Sequence, residues 1–271
     1  MSPYDVDSTP PRRTAGLRRR LPTQRPDDLK SCCLVSKSWI PRARSHLFAE
    51  VRFSAEGLQS WKNLFPDPSI SPACYTETLL IGSPLVVTAA DAEEGGWIPT
   101  FSRVVSFEIA DPSRHVYERV ASLALFHGFS PVVKSLRVTC IVFQPSPILD
   151  LVLSFPLLED LAFVTHDTNA LWGKFDGQPA AIQPSIPPKF TGSLNIALAR
   201  GMGPFARRLL SLPSGIRFRG LDLEWSNEKD ISWTTALMEG CCSTLESLRI
   251  ADVGTSARHL NPHLQTNFIC S

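Results

Sequence analysis

The sequence predicts an α/β fold in which parallel strands stack along one side and helices along the other. Three observations lead there. First, a pattern of apolar-or-Thr, two residues, apolar, one residue, apolar recurs as Thr76/Leu79/Ile81, Val104/Phe107/Ile109, Val133/Leu136/Val138, Leu158/Leu161/Phe163, Thr191/Leu194/Ile196, Phe218/Leu221/Leu223 and Leu245/Leu248/Ile250. The central residues of these motifs lie 28, 29, 25, 33, 27 and 27 residues apart. Second, the segments between them carry apolar residues at helical spacing: Val116, Val120 and Leu123, then Ile148, Leu149, Val152 and Phe155, then Phe205, Leu209 and Leu212, and more loosely Ile231, Leu237, Met238 and Cys241. Third, no single strand–helix unit can bury its own apolar face, so the units must stack and share one core. Right-handed crossovers then keep successive strands parallel.

The repeated motif resembles the L-x-x-L-x-L core of leucine-rich repeats, whose period is about 20–29 residues. The Asn or Cys that follows in well-formed repeats is mostly absent, so the resemblance implies an irregular leucine-rich-repeat solenoid, with parallel strands concave and helices convex. One gap differs from the others. Between Phe163 and Leu194 lie Pro179, Pro184, Pro187 and Pro188, which predict a long loop. After Ile250 the pattern fades into Asn261-Pro262-His263 without a polar capping repeat. Either the chain end is truncated or the last strand is left partly exposed.

Taken in order, residues 1–26 are rich in Pro, Arg, Ser and Thr, lack apolar periodicity and read as a disordered basic tail. Arg12-Arg13 and Arg18-Arg19-Arg20 are either a nuclear address or part of a solvated tail. Residues 27–53 form a helical pair ending in a short strand. Asp27 or Asp28 caps a helix to about Ser38, with Leu29, Cys32, Cys33 and Ser36 on one stripe. Trp39 and Ile40 close it, and Pro41 opens a second helix to Phe48. Trp39 is either a partner-contacting aromatic or the core anchor of the pair, and the core is the favoured place given the area an aromatic ring buries. Val51-Arg52-Phe53 alternates as a strand. Residues 54–73 form a linker helix carrying Leu58, Trp61 and Leu64, ended by Pro66, Pro68 and Pro72. Residues 74–271 hold the repeat array.

The order D-L-K-S-C-x-L-V-S-K-S-W followed by P-R-A-R-S-H-L-F resembles the second half of an F-box, in the form found in large fungal families. An F-box opens with Leu-Pro and a first helix. Here Leu21-Pro22 stands four residues before Asp27, too few for a helix of several turns at about 1.5 Å per residue. The resemblance is therefore to a truncated F-box whose first helix is missing. It implies a substrate-recognition adaptor of an SCF-type cullin–RING ubiquitin ligase. The F-box would meet a Skp-type linker protein, and through it the cullin, and the repeats would hold a client protein. Leu29, Leu34, Val35 and Trp39 match the F-box positions nearest the linker protein or supporting those that are. With one helix gone, that binding is expected to be weak or lost. The alternative is a leucine-rich-repeat scaffold that has lost a working F-box.

Composition and motifs exclude other classes. A net charge of +1 gives no field that would draw the chain to nucleic acid or an anionic membrane. The most apolar stretch, Leu79 to Ala90, is broken by Gly82, Ser83 and Pro84, and a spanning helix needs roughly 20 apolar residues. The first 25 residues hold six arginines and no apolar run, unlike a signal peptide. Seven cysteines without a C-x-x-C, and no N-x-S/T, point to a reducing compartment, cytoplasmic or nuclear. No P-loop or G-x-S-x-G is present. Gly201-Met202-Gly203-Pro204 reads as a turn, because Pro204 removes an amide that a phosphate would need. His259 and His263 have Pro262 between them and no third ligand for zinc. Cys32 and Cys33 read as small packing residues. The chain is expected to be no enzyme and to hold no cofactor or metal.

The two final apolar residues of each motif point inward, so their neighbours point outward with period two. That places Thr78, Ser106, Glu108, Ser135, Arg137, Thr139, Asp160, Asn195, Asp222, Glu224 and Arg249 on one face. The expected client-binding residues are Glu108, Arg137, Asp160, Asn195, Asp222, Glu224 and Arg249; the alternative is a merely solvated face. Trp172 and Phe175, in the Pro-rich loop, are aromatic types favoured at interfaces.

Overall fold

Short runs in which apolar and polar residues alternate become strands, and the intervening apolar stretches become helices or 3-10 turns. The computed structural model describes residues 37–82, 89–93, 96–111, 124–127, 129–140, 142–143, 145–164, 171–172, 188–197, 202–225, 231–252 and 266–269. Two compact units divide the chain, Met1–Ala43 and Arg44–Ser271. The described residues begin in the first with a 3-10 turn, Lys37–Trp39, and helix α1 (Ile40–Leu47) runs across the boundary at Ala43. The expected helix from Asp27 lies mainly outside the described residues, as do Leu29, Leu34 and Val35.

In the second unit the strands are β1 (Glu50–Phe53), β2 (Thr78–Gly82), β3 (Ser106–Asp111), β4 (Ser135–Cys140), β5 (Val142–Phe143), β6 (Asp160–Val164), β7 (Leu171–Trp172), β8 (Ser193–Ala197), β9 (Gly220–Trp225), β10 (Ser247–Asp252) and β11 (Thr266–Ile269). Nine of them make one sheet in the order β1-β2-β3-β4-β6-β8-β9-β10-β11, and β5 and β7 pair by themselves. From β1 to β10 every neighbour is parallel, eight strands in all. The sheet is open rather than closed into a barrel. Two features differ from the sequence expectation. β1 belongs to the ladder, pairing Val51 with Leu79 and Phe53 with Ile81. And β10 is not an open edge, because β11 returns antiparallel along it.

The seven predicted motifs fall into register. One inward row runs Val51, Leu79, Phe107, Leu136, Leu161, Leu194, Leu221, Leu248, and a second runs Phe53, Ile81, Ile109, Val138, Phe163, Ile196, Leu223, Ile250. All but Ile250 are buried, and Ile250 packs against the same core. A recurring hydrogen bond fixes where each ladder starts. The carbonyl two residues before the central position accepts from two successive amides of the next strand: Ala49 from Glu77 and Thr78, Glu77 from Val105 and Ser106, Val105 from Lys134 and Ser135, Lys134 from Glu159 and Asp160, Arg219 from Glu246 and Ser247. Crossovers that share this double acceptance end at equivalent points, while at β6–β8 Glu159 accepts from Gly192 N and Ser193 N turns to the Asp160 carboxylate; a slip by one residue would turn the apolar row to solvent.

The helices cover the inward face. They are α2 (Ala55–Leu64), α3 (Ala89–Ala92), α4 (Pro145–Leu153), α5 (Gly203–Leu210) and α6 (Ile231–Cys241), with 3-10 turns such as Ile98–Thr100 and Ala124–Phe126 completing other crossovers. Ser54 caps α2 by accepting from Gly57 N at 3.2 Å. Leu58 and Trp61 on α2, Leu149 and Val152 on α4, Phe205 and Leu209 on α5, and Leu237 and Cys241 on α6 join the same core as the strand rows. Under β1–β4 the core is aromatic. Phe53 meets Trp61, Trp97 and Phe101 edge-on at 5.4–5.8 Å between centroids, and Phe107 meets Phe129 at 4.9 Å.

Three expected core residues are instead exposed. Leu64 is 72 % exposed and Ile231 46 %. At 100° per residue Leu64 stands about 120° round the helix from Leu58, and Phe65 packs on Trp61 instead, at 4.9 Å. Ile231 lies about 100° from the buried stripe of α6, which is made by Trp233, Thr234, Leu237 and Cys241. Trp39 is 55 % exposed, because the Lys37–Trp39 turn buries none of its three residues. The helix expected over Val116–Leu123, and most of the Pro-rich segment, lie outside the described residues. So do the His259 and His263 pair and Phe175.

Candidate binding face

The alternation that sends apolar residues inward sends three other rows outward, and none of their described residues is buried. The first row lies at the strand starts: Glu50, Thr78, Ser106, Ser135, Asp160, Ser193, Gly220 and Ser247. The second crosses the middle: Arg52, Leu80, Glu108, Arg137, Ala162, Asn195, Asp222 and Arg249. The third comprises Gly82, Ala110, Thr139, Val164 and Ala197, with Glu224 and Ala251 on the last strands. Five of the seven expected client-binding residues, Glu108, Arg137, Asn195, Asp222 and Arg249, therefore share the middle row. Asp160 and Glu224 stand on the rows either side.

Neighbouring strands place these charges against one another. Arg137 Nε lies 3.7 Å from Glu108 Oε1. Arg249 donates to both oxygens of Asp222, at 3.2 and 3.0 Å, and approaches Glu224 Oε1 at 3.8 Å. Asn195 Nδ2 donates to Asp222 Oδ2 at 3.1 Å. Asp160 is engaged differently: its Oδ1 accepts from Ser193 N at 2.6 Å and from Ser193 Oγ at 2.7 Å, tying the start of β8 to β6. A Cβ on Gly192 would collide with that carboxylate, so glycine is what lets the chain pass.

Glu224 is more enclosed than Glu108 or Asp222, with 22 % of its side chain exposed against 31 % and 32 %. Burial raises its proton affinity above the ordinary glutamate value, Arg249 opposes the rise and Asp222 adds to it. Charge is unevenly shared along the sheet. On β1–β4, Glu50 pairs with Arg52 at 2.6 Å and Glu108 with Arg137, so opposite charges cancel. On β6–β10, Asp160, Asp222 and Glu224 face Arg249 alone among the described outward side chains.

The sequence reading left out Arg52 and Leu80, which join the middle row because β1 pairs with β2. The signal was present: Phe48-x-x-Val51-x-Phe53 repeats the motif 28 residues before Leu79. Trp172, in β7, pairs with Phe143 in the small sheet rather than lying in the main one. Among the described residues no cluster of His, Cys, Asp and Glu could hold a metal ion. None of their helices is long and apolar enough to cross a membrane. No family model, curated protein or solved structure matches the chain.

Proposed function

We propose that the chain is a substrate-recognition adaptor of an SCF-type cullin–RING ubiquitin ligase, with an irregular leucine-rich-repeat solenoid that holds a client protein on its outward sheet face. The observation that carries this reading is the order of residues from Asp27 to Phe48, which resembles the second half of an F-box and leads straight into the strand array. The period of the motif and the double acceptance that recurs at most of the strand starts support the repeat reading. No residue of the chain does covalent chemistry in this account. Its work is to bring two proteins together, the Skp-type linker through the N-terminal motif and the client through the sheet.

A second reading, a scaffold without a working F-box, is favoured by one observation: only four residues separate Pro22 from Asp27. Co-purification of the Skp-type linker with the full chain and with a 44–271 fragment separates the two. The fragment starts at Arg44, where the second compact unit begins, so that β1 stays in its sheet. Linker held by the full chain and lost from the fragment supports the adaptor, with weak binding expected. Linker absent from both supports the scaffold.

A further inference from the structure

We propose that the β8–β10 end of the outward face binds a basic segment of the partner protein, with a lysine or arginine side chain seated on Glu224. The inference rests on the reading of this face as the client surface and adds the chemistry of what it takes. Three features of this face lead to it. The first is charge: the β1–β4 half is neutral pair by pair, whereas on β8–β10 two carboxylates, Asp222 and Glu224, share the one Arg249 guanidinium, so this end carries the surplus negative charge that a cationic partner complements.

The second is how each carboxylate is occupied. Asp160 is taken up by the amide and hydroxyl of Ser193. Asp222 is taken up by Arg249 and Asn195. Glu224 is left with the looser ion pair, 3.8 Å to the same guanidinium that serves Asp222. An incoming ammonium or guanidinium would supply the close donor that Glu224 lacks, and its opposite charge would offset the desolvation that now disfavours the carboxylate form.

The third is room. Glu224 pairs in register with Ala251 on β10, and Ala197 extends the same row on β8. Both neighbours are methyl groups, so a long cationic side chain can lie along the row with its stem on the alanines and its head at the carboxylate. The partner segment is unstructured or extended in this account, because the surface beneath it is a sheet face with small side chains and no deep cavity is needed to seat it.

The test uses the full chain and a random 12-residue peptide library displayed on phage. Selected peptides are then made synthetically and titrated by fluorescence anisotropy. The expected binders are enriched in Lys and Arg, and their affinity falls by about tenfold or more with Glu224→Gln, the loss expected when one partner of a desolvated charge pair is removed. Glu50→Gln, in the neutral half and outside the expected client-binding residues, leaves it unchanged. Ala251→Lys, which places a fixed cation beside Glu224, serves as the second variant if Glu224→Gln fails to fold, and has the same expected effect. Binders that are not basic but are lost on reversing Arg137 and Arg249 overturn this inference while leaving the client face standing. Basic binders weakened equally by Glu50→Gln and Glu224→Gln also overturn it, since the attraction is then diffuse. Binders indifferent to every variant of the face contradict both.

Discussion

Leu161 shows the residue scale most simply. It sits at the centre of its motif, is fully enclosed, and has Leu136 and Leu194 opposite it on the neighbouring strands. Leu161→Ala should cost about 2–5 kcal/mol, the range for truncating a buried leucine, and a urea midpoint equal to that of the parent would contradict the register. Such residues were legible because an inward position must be apolar in every unit. Glu224 was legible as outward but not as enclosed, since burial comes from neighbours that the sequence does not place. Its raised folded-state proton affinity has a definite sign. The folded state holds a proton that the unfolded chain has released, so this contribution is complete below the ordinary value of about 4.3 and is lost as pH rises through the higher folded value. Glu224→Gln should flatten that fall in stability, measured by urea titration at a series of pH values. An unchanged pH profile would show that Glu224 is not desolvated.

At the scale of elements, strands were easier to read than what joins them. A strand needs two or three inward residues at spacing two, a pattern that survives irregular repeats. Among the described residues the elements that join the strands range from the eleven-residue α6 to three-residue turns such as Ile98–Thr100, and a short turn has no helical period to detect. β1 was read as a strand but not as a member of the array, because its residues also belong to the F-box-like stretch. β11 has no repeat motif at all, and its antiparallel return follows from edge pairing rather than from periodicity. The β6–β8 junction carries a prediction of its own. Gly192→Ala should push the Asp160 carboxylate off Ser193 and destabilise the protein by about 1–3 kcal/mol, the usual cost of overpacking. In an Asp160→Ala background the same change should cost less. Strict additivity in a double-mutant cycle would contradict the coupling.

At the scale of the whole molecule, the repeat converts a one-dimensional period into a two-faced sheet. One face is closed by helices and aromatic packing, and the other is left with three rows of polar and small side chains that nothing described covers. The architecture was legible in the sequence because stacking is the only way such units can bury their apolar sides. The identity of what binds the open face was not, because outward positions obey no pattern that folding imposes. The account stands on that face being the partner surface. Its most direct test is to reverse Arg137 and Arg249 together, as Arg137→Glu and Arg249→Glu, and to compare the proteins recovered by proximity labelling in cells. The pairs Arg137–Glu108 and Arg249–Asp222 become like-charge contacts, so the face changes while the enclosed rows do not. The account predicts that specific partners recovered with the parent chain are lost, with circular dichroism unchanged. Undiminished recovery with an intact fold would contradict it.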